Sequence, residues 1–308
     1  MAPERKLFMT GATGVVGRAL LQRLAGDKRS AGRNMPAVVA LSRNVSAFPE
    51  AGVRAVHGRI GEPEGWLRDL EGTTEFLHMA ALTGKARAAD FQRANVDGTR
   101  SVIEACKRAG VRRFLFVSSI AATYPEHDAY PYGRSKLEAE ALVRESGLDW
   151  AIVRPTIVMS RRAKIWHSLE GMASLAVVPM FGGGHVRIQP IHADDLALAL
   201  EAWLGDPSLD RGTYDLGGPE VVTFRDFLGR IHRRKKGGDA TFLPLPGKSA
   251  IAVLKQLEKF LLPVLPMSAG QLYSFVYDST AKPNPLSERF VAGQRNVDTM
   301  LDELLKYG

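Results

Sequence analysis

The chain has a single cysteine, Cys106, in 308 residues. This excludes an internal disulfide framework and a metal site built from several cysteines, and we expect no metal site. Cys106 lies in VIEACKRAG, a helical stretch, where it reads as a small buried filler. Such usage is consistent with a reducing compartment, and the expectation is a cytoplasmic protein. No uncharged apolar run reaches the ~18 residues that a membrane span requires, although peripheral membrane contact stays open. The opening, MAPERKLF, is too short and polar for a signal peptide. Internal repeats, low-complexity tracts and a clear linker are also missing. The net charge is +8, but the basic residues are scattered and read as solvated faces. They suit attraction to small anions; with no motif behind them, no nucleic-acid partner is expected.

What is present begins at residues 6–24, KLFMTGATGVVGRALLQRL. A buried strand at 7–9 leads into a turn with Gly11, Gly14 and Gly17. A helix follows, with apolar Val15, Val16, Leu20, Leu21 and Leu24. Such a turn brings its backbone close to a pyrophosphate, while the helix points its N–H groups and positive dipole end at the anion. A side chain at Gly11 or Gly14 would block that approach, and Gly17 lets the helix lie close to the strand. The spacing G-x-x-G-x-x-G is one residue longer between the first two glycines than the usual dinucleotide fingerprint.

A second strand, 37–41, is followed by Ser42, Arg43 and Asn44. In a dinucleotide fold this place faces the adenosine ribose. An acid there would accept hydrogen bonds from a 2′-hydroxyl, whereas an arginine favours a 2′-phosphate. Ser42 and Arg43 stand there instead of an acid, and Arg18 can assist; a guanidinium grips phosphate through a fork of donors. NADP(H) is therefore expected over NAD(H). Strands at 52–60, 75–81 and 113–117 alternate with helices at 66–70, 86–95 and 99–109. That is the pattern of a doubly wound parallel sheet with ligands at the carboxyl ends of its strands. His78, inside an apolar strand, reads as a satisfied core residue.

Ser118 and Ser119 end the strand at 113–117, and Tyr132 and Lys136 share one face of a helix at 132–145. A phenol with a pKa near 10 is a poor acid–base at neutrality, and a close ammonium would lower it toward the working range. A nearby serine can hydrogen-bond a substrate oxygen. The trio suits proton transfer to or from a carbonyl or alcohol oxygen.

Taken in order, TGATGVVG from Thr10, HMAA from His78, NVDGT from Asn95, VSS from Val117, Tyr132 with Lys136, and VRP from Val153 resemble the successive motifs of the short-chain dehydrogenase/reductase superfamily. The form of the glycine motif and the length resemble its extended and atypical branches, which include NAD-dependent epimerases and dehydratases. QPIHADDLA from Gln189 and TYDLGG from Thr213 add to the likeness, which covers most of residues 6–228. The resemblance implies an α/β fold with a Rossmann-type doubly wound sheet and a smaller, partly helical C-terminal substrate region. Residues 1–156 would form the nucleotide domain, with 190–217 returning to it; 157–189 and 218–308 would hold substrate.

It further implies Tyr132 as acid–base, Lys136 as its tuner and ribose ligand, and Ser119 as the group polarising the substrate oxygen, with Ser118 as the fallback. Thr10, Gly11, Thr13, Gly14, Val15, Val16 and Gly17 would cradle the cofactor. Ala80, Ala81, Asn95 and Arg154 with Pro155 would complete its site. Many relatives dimerise through two long helices, here 99–109 and 132–145. Three departures shape the functional expectation. Gly58, Arg59 and Ile60 replace an adenine-contacting aspartate. The interval from Ser119 to Tyr132 is short, and Ile120 stands where dehydratases carry an acid. The expectation is a ketoreductase or secondary-alcohol dehydrogenase for a moderately apolar small molecule. The alternatives are a nucleotide-sugar epimerase and a non-catalytic NADPH-binding accessory protein.

The second half is read as a strand at 150–158, helices at 161–178, 191–203 and 223–233, and a glycine loop at 180–186. Thr223 is the expected cap of the helix at 223–233. An amphipathic helix within 243–266 carries Ile251, Leu254, Leu257 and Leu261 on one face. A last helix is expected at 297–307.

Overall fold

The structure, a computed structural model, describes residues 5–27, 36–48, 52–125, 129–246, 256, 273–290 and 293–306. Its elements run β1 (Lys6–Thr10), α1 (Val15–Asp27), β2 (Ala37–Ser42), β3 (Val53–His57), β4 (Glu75–His78), α2 (Ala88–Phe91), α3 (Gly98–Arg108), β5 (Arg113–Val117), α4 (Pro131–Arg144) and β6 (Asp149–Pro155). There follow β7 (Val158–Met159), α5 (Lys164–Ala173), β8 (Val177–Phe181), β9 (Arg187–Ile188), β10 (Ile191–His192), α6 (Ala193–Gly205), β11 (Gly212–Leu216), β12 (Val222–Thr223), α7 (Phe224–Lys236), β13 (Thr241–Leu245), α8 (Pro285–Glu288) and α9 (Val297–Leu305).

Seven strands form one parallel sheet in the order β11-β6-β5-β4-β1-β2-β3. The order reverses between β1 and β4, so a crevice opens at their carboxyl ends. Alternation along the strands sorts the core onto two faces. Leu7 and Met9 meet α1 and α6 on one face. On the other, Phe8, Phe76 and Phe114 stack across three adjacent strands at 5.3 and 5.5 Å, under α3 and α4. Cys106 is buried there, and burial raises its thiol well above the ordinary value. A third cluster joins α5, α7, β8 and α9 around Trp166, Phe224 and Phe227.

Local chemistry explains most boundaries. Thr223 caps α7 by accepting the Asp226 N–H at 3.1 Å, and Gly237 ends that helix at φ 78°. The helical pattern at 191–203 starts later than expected, because Ile191 and His192 pair with β7 and His192 caps α6. The pattern at 161–178 stops at Ala173, since Val177 already belongs to β8, which pairs with β13. The helix expected at 66–70 is a 3-10 turn, Leu67–Leu70, rather than an α-helix. Of the apolar stretch 243–266, residues 243–245 extend β13, and Ile251, Leu254, Leu257 and Leu261 lie outside the described residues. Among the described residues, no helix is long and apolar enough to cross a membrane.

The glycine turn fixes how α1 seats on the sheet. Gly11 has φ +73°, and a Cβ there would stand 2.6 Å from the Met79 carbonyl carbon. A Cβ on Gly17 would stand 2.6 Å from Ala12 Cα, against the backbone of the turn. Gly17→Ala should therefore push α1 off the turn and cost about 2–3 kcal/mol of stability, as overpacking does. Urea unfolding checks this; an unchanged midpoint would show that α1 shifts freely.

Candidate active site

The carboxyl ends of the sheet bring together the residues singled out in the sequence. Thr10 ends β1, Ser42 ends β2, His78 ends β4, and Ser118 and Ser119 follow β5. Gly11, Thr13, Gly14, Val15, Val16, Gly17 and Arg18 form the turn and first helical turn beyond β1. A Cβ on Gly14 would touch only the Gly11 carbonyl, at 3.1 Å, so the outer face of the turn is open. The first turn of α1 carries no acid, and its leading N–H groups have no intrahelical partners. An open cradle of donors at a positive helix end fits a dinucleotide pyrophosphate. Gly11 also serves a second purpose, since its closest neighbour is the backbone at Met79 and Ala80.

Arg43 is exposed at the end of β2. The Ser42 hydroxyl donates to the Asn44 carbonyl at 2.9 Å, and Arg18 Nε donates to the Thr13 carbonyl at 3.2 Å. Arg18 also lines a cleft of about 420 Å³ with Arg161, Arg162, Asp194 and Glu303.

His78 is fully buried in a continuous chain of hydrogen bonds. The Thr99 hydroxyl donates to the Asn95 carbonyl at 2.6 Å, so its oxygen accepts from His78 Nε2 at 3.1 Å. Nδ1 then accepts from the Thr10 hydroxyl at 2.6 Å, whose oxygen accepts the Ala80 N–H at 3.2 Å. Burial, aided by the Lys136 ammonium, pushes the imidazole pKa down to about 3. His78 is a neutral, satisfied core residue.

Asn95 sits in a stretch of π-helix, Gln92–Asp97, between α2 and α3. Its side chain accepts from Leu82 N at 2.7 Å and donates to the Leu82 carbonyl and to Ser135 Oγ at 3.1 and 3.0 Å. The widened helical turn thus ties the loop after β4 to α4.

Tyr132 and Lys136 lie one turn apart on α4. Gly133 lets that helix approach the 3-10 turn Ile120–Thr123, since a Cβ would stand 2.6 Å from the Ala121 carbonyl oxygen. Ser119 caps this turn, accepting from Ala121 N at 3.2 Å, and its side chain lies beside the Tyr132 phenol. Ser118 points elsewhere and donates to Glu140 Oε1 at 2.6 Å. Of the two serines, Ser119 therefore faces Tyr132. Phe91 and Tyr130 flank the Tyr132 ring, each at 5.8 Å, and Tyr130 continues into Tyr124 and Tyr273.

One electrostatic expectation is corrected. The Tyr132 phenol is raised, not lowered: burial dominates, and Ser119 beside it only partly offsets the rise. The Lys136 ammonium is turned to the Val117 carbonyl at 2.8 Å and lies 4.0 Å over the Phe116 ring. Burial brings its pKa down to about 7, with Glu140 opposing the fall. Nor does Arg154 point its charge into the crevice. It forks onto Glu140 at 2.8 and 2.6 Å and lies 3.5 Å from Asp215, while Pro155 is buried at the end of β6.

Sequence reading missed Glu140 and Gly133. The signal for Glu140 was its spacing, since it repeats the interval from Tyr132 to Lys136 and shares their helix face.

A family model described as NAD(P)H-binding matches residues 11–170, and the chain belongs to that family. Over 202 residues the chain is 33% identical to a ceramide reductase of Caulobacter vibrioides, covering 65% of this chain and 61% of that protein. It thus spans less than two thirds of that relative's length. A 2-alkyl-3-oxoalkanoate reductase of Stenotrophomonas maltophilia is 26% identical over 254 residues, 73% of this chain and 74% of that one. Among solved structures, the triphenylmethane reductase of Citrobacter sp. superposes with a TM-score of 0.76 at 17% identity, covering 98% of this chain and 99% of that chain. The last likeness concerns the fold.

Lys136 generates a pH dependence. Its pKa is about 7 in the folded chain and near the ordinary lysine value of 10.5 when unfolded. Between these values the unfolded chain binds more protons, so stability rises with pH through that window and is flat below it. Relative to Lys136→Met, the cofactor-free protein should gain about 1 kcal/mol per pH unit above neutrality. Parallel urea titrations of the two proteins check this; difference curves without slope would refute it.

Proposed function

We propose that this chain is an NADP(H)-dependent oxidoreductase that reduces a ketone, or oxidises a secondary alcohol, on a moderately apolar small molecule. The observation that carries this reading is the placement of Ser119 beside the Tyr132 phenol, with Lys136 one turn on, at the sheet edge that also holds the open glycine turn. The names of the two reductase relatives support the same class of chemistry.

The turn from Thr10 to Gly17, the first N–H groups of α1, and Ala80 and Ala81 would hold the dinucleotide. Ser42 and Arg43, with Arg18, would meet its 2′-phosphate. When bound, the nicotinamide nucleotide supplies or accepts the hydride. Tyr132 holds a proton on its phenolic oxygen, and the raised pKa keeps it there at neutral pH. As a carbonyl oxygen gains negative charge, that proton passes to it, while the Ser119 hydroxyl orients the oxygen. Lys136 supports the phenolate left behind. The aromatic neighbours Phe91 and Tyr130 exclude water and suit an apolar substrate.

Purified protein should bind NADPH more tightly than NADH in a fluorescence titration. Arg43→Ala should weaken NADPH about tenfold and leave NADH unchanged. Equal losses for both nucleotides would remove the assigned role of Arg43. With a ketone that supports NADPH consumption, Tyr132→Phe should lower kcat/KM by about 10²–10⁴ with cofactor binding retained. Full turnover in that variant would overturn the mechanism. Binding without consumption across ketones would instead favour the epimerase or the accessory protein.

A further inference from the structure

The cleft of about 420 Å³ lies where four parts of the chain converge. Arg18 comes from α1, Arg161 and Arg162 from the loop after β7, Asp194 from the start of α6, and Glu303 and Lys306 from the end of α9. Four of these six residues are cations. Like charges gathered round one concavity raise its potential and concentrate anions there.

The two acids do not cancel that potential, because both are already engaged. Arg295, which does not line the cleft, donates from Nε to Glu303 Oε2 at 2.7 Å and lies 3.5 Å from Asp194 Oδ2. Arg161 is turned to the backbone of Glu303, where Nε donates to the carbonyl at 3.0 Å. Arg18 uses only Nε, on the Thr13 carbonyl at 3.2 Å. Among the described residues, the terminal nitrogens of Arg18 and the side chains of Arg162 and Lys306 have no partner. Elsewhere the chain answers such charges. Further along α1, Arg23 is paired with Glu201, and on α7 Arg234 meets Asp298 and Asp302 at 2.7 and 2.8 Å.

The cleft is not the cradle expected for the dinucleotide. Gly11, Gly14, Ser42, Arg43 and Ala81 do not line it, nor do Ser119 and Tyr132. Val15 and Arg18 alone belong to both sets.

We propose that this cleft binds the phosphate group of a small phosphorylated molecule, held by Arg18, Arg162 and Lys306, with Arg161 as a fourth cation. A guanidinium meets phosphate through a fork of donors, and an ammonium adds a point charge. The volume exceeds what a bare ion needs and suits a ligand with an organic part. Val15 and Ala19, one turn apart on α1, give that part an apolar wall. The site goes beyond the oxidoreductase reading and does not rest on it.

The test is calorimetric titration of the full chain at fixed ionic strength, with inorganic phosphate and glycerol 3-phosphate as probes. The wild-type chain should bind the ester saturably and more tightly than the ion. Arg162→Gln combined with Lys306→Gln should weaken the ester about tenfold. Both side chains are exposed, so the variant should fold, and an unchanged urea midpoint checks this. Arg162→Gln alone serves if the pair does not fold. A control of equal charge, Arg112→Gln with Lys236→Gln, removes two exposed cations outside the cleft and should leave the affinity unchanged. Three results would overturn the inference: no saturable binding of the ester or tighter binding of the ion, an equal loss in the control, or an affinity unmoved in the cleft variant. In the last case the probe would sit elsewhere, as in the glycine turn. No nicotinamide nucleotide enters the titration, so its outcome is separate from that of the NADPH experiments.

Discussion

The carboxyl edge of the sheet depends on one buried chain of hydrogen bonds, running from the Ala80 N–H through Thr10, His78 and Thr99 to the Asn95 carbonyl. Each link needs a specific donor and acceptor, and a buried unpaired group would cost about 1–3 kcal/mol. The chain spans the point where strand order reverses, so it locks β1 to β4 where the crevice opens. Asn95 then extends the lock through its side chain to Leu82 and Ser135, and Ser135 donates to the Tyr132 carbonyl at 2.8 Å. The glycine turn and Tyr132 come from sequence positions over a hundred residues apart. They are held in register by this path.

Beside that neutral chain lies a charged one. Glu140 gathers Ser118, Arg154 and Arg144, and Arg154 passes on to Asp215. The two networks divide the labour. The His78 chain has no net charge and sets geometry, so it is indifferent to pH near neutrality. The Glu140 group holds buried charge in a region of low dielectric, where its carboxylate is satisfied by Ser118, Arg154 and Arg144. Both meet at Lys136, which lowers the His78 pKa and is itself opposed in its fall by Glu140.

Much of this architecture was legible from residue pattern. Alternating apolar strands and helices gave the doubly wound sheet, because a parallel sheet covered on both faces leaves continuous runs such as RFLFV. Tyr132 and Lys136 were legible because helix spacing alone places them on one face. The orientation of Ser118 against Ser119 followed only as a preference in the sequence; the structure supplies its cause in the carboxylate that captures Ser118. Other features were illegible because tertiary contacts override local signal. Val177 sits in a helical pattern, yet pairing with Thr241 draws it into β8. The π-turn at Asn95 leaves no compositional trace, and the role of Gly133 depends on a carbonyl contributed by Ala121.

The direction of the Tyr132 shift has a consequence for the proposed reaction. A phenol lowered by an adjacent ammonium would be ready to take a proton. Here the ammonium is held by Val117 and Phe116, and burial raises the phenol. At neutral pH the proton therefore stays on Tyr132, available to an oxygen that becomes basic as hydride arrives. The phenolate formed at that moment is the species that most needs a nearby positive charge, and the charge on Lys136 must survive the same burial.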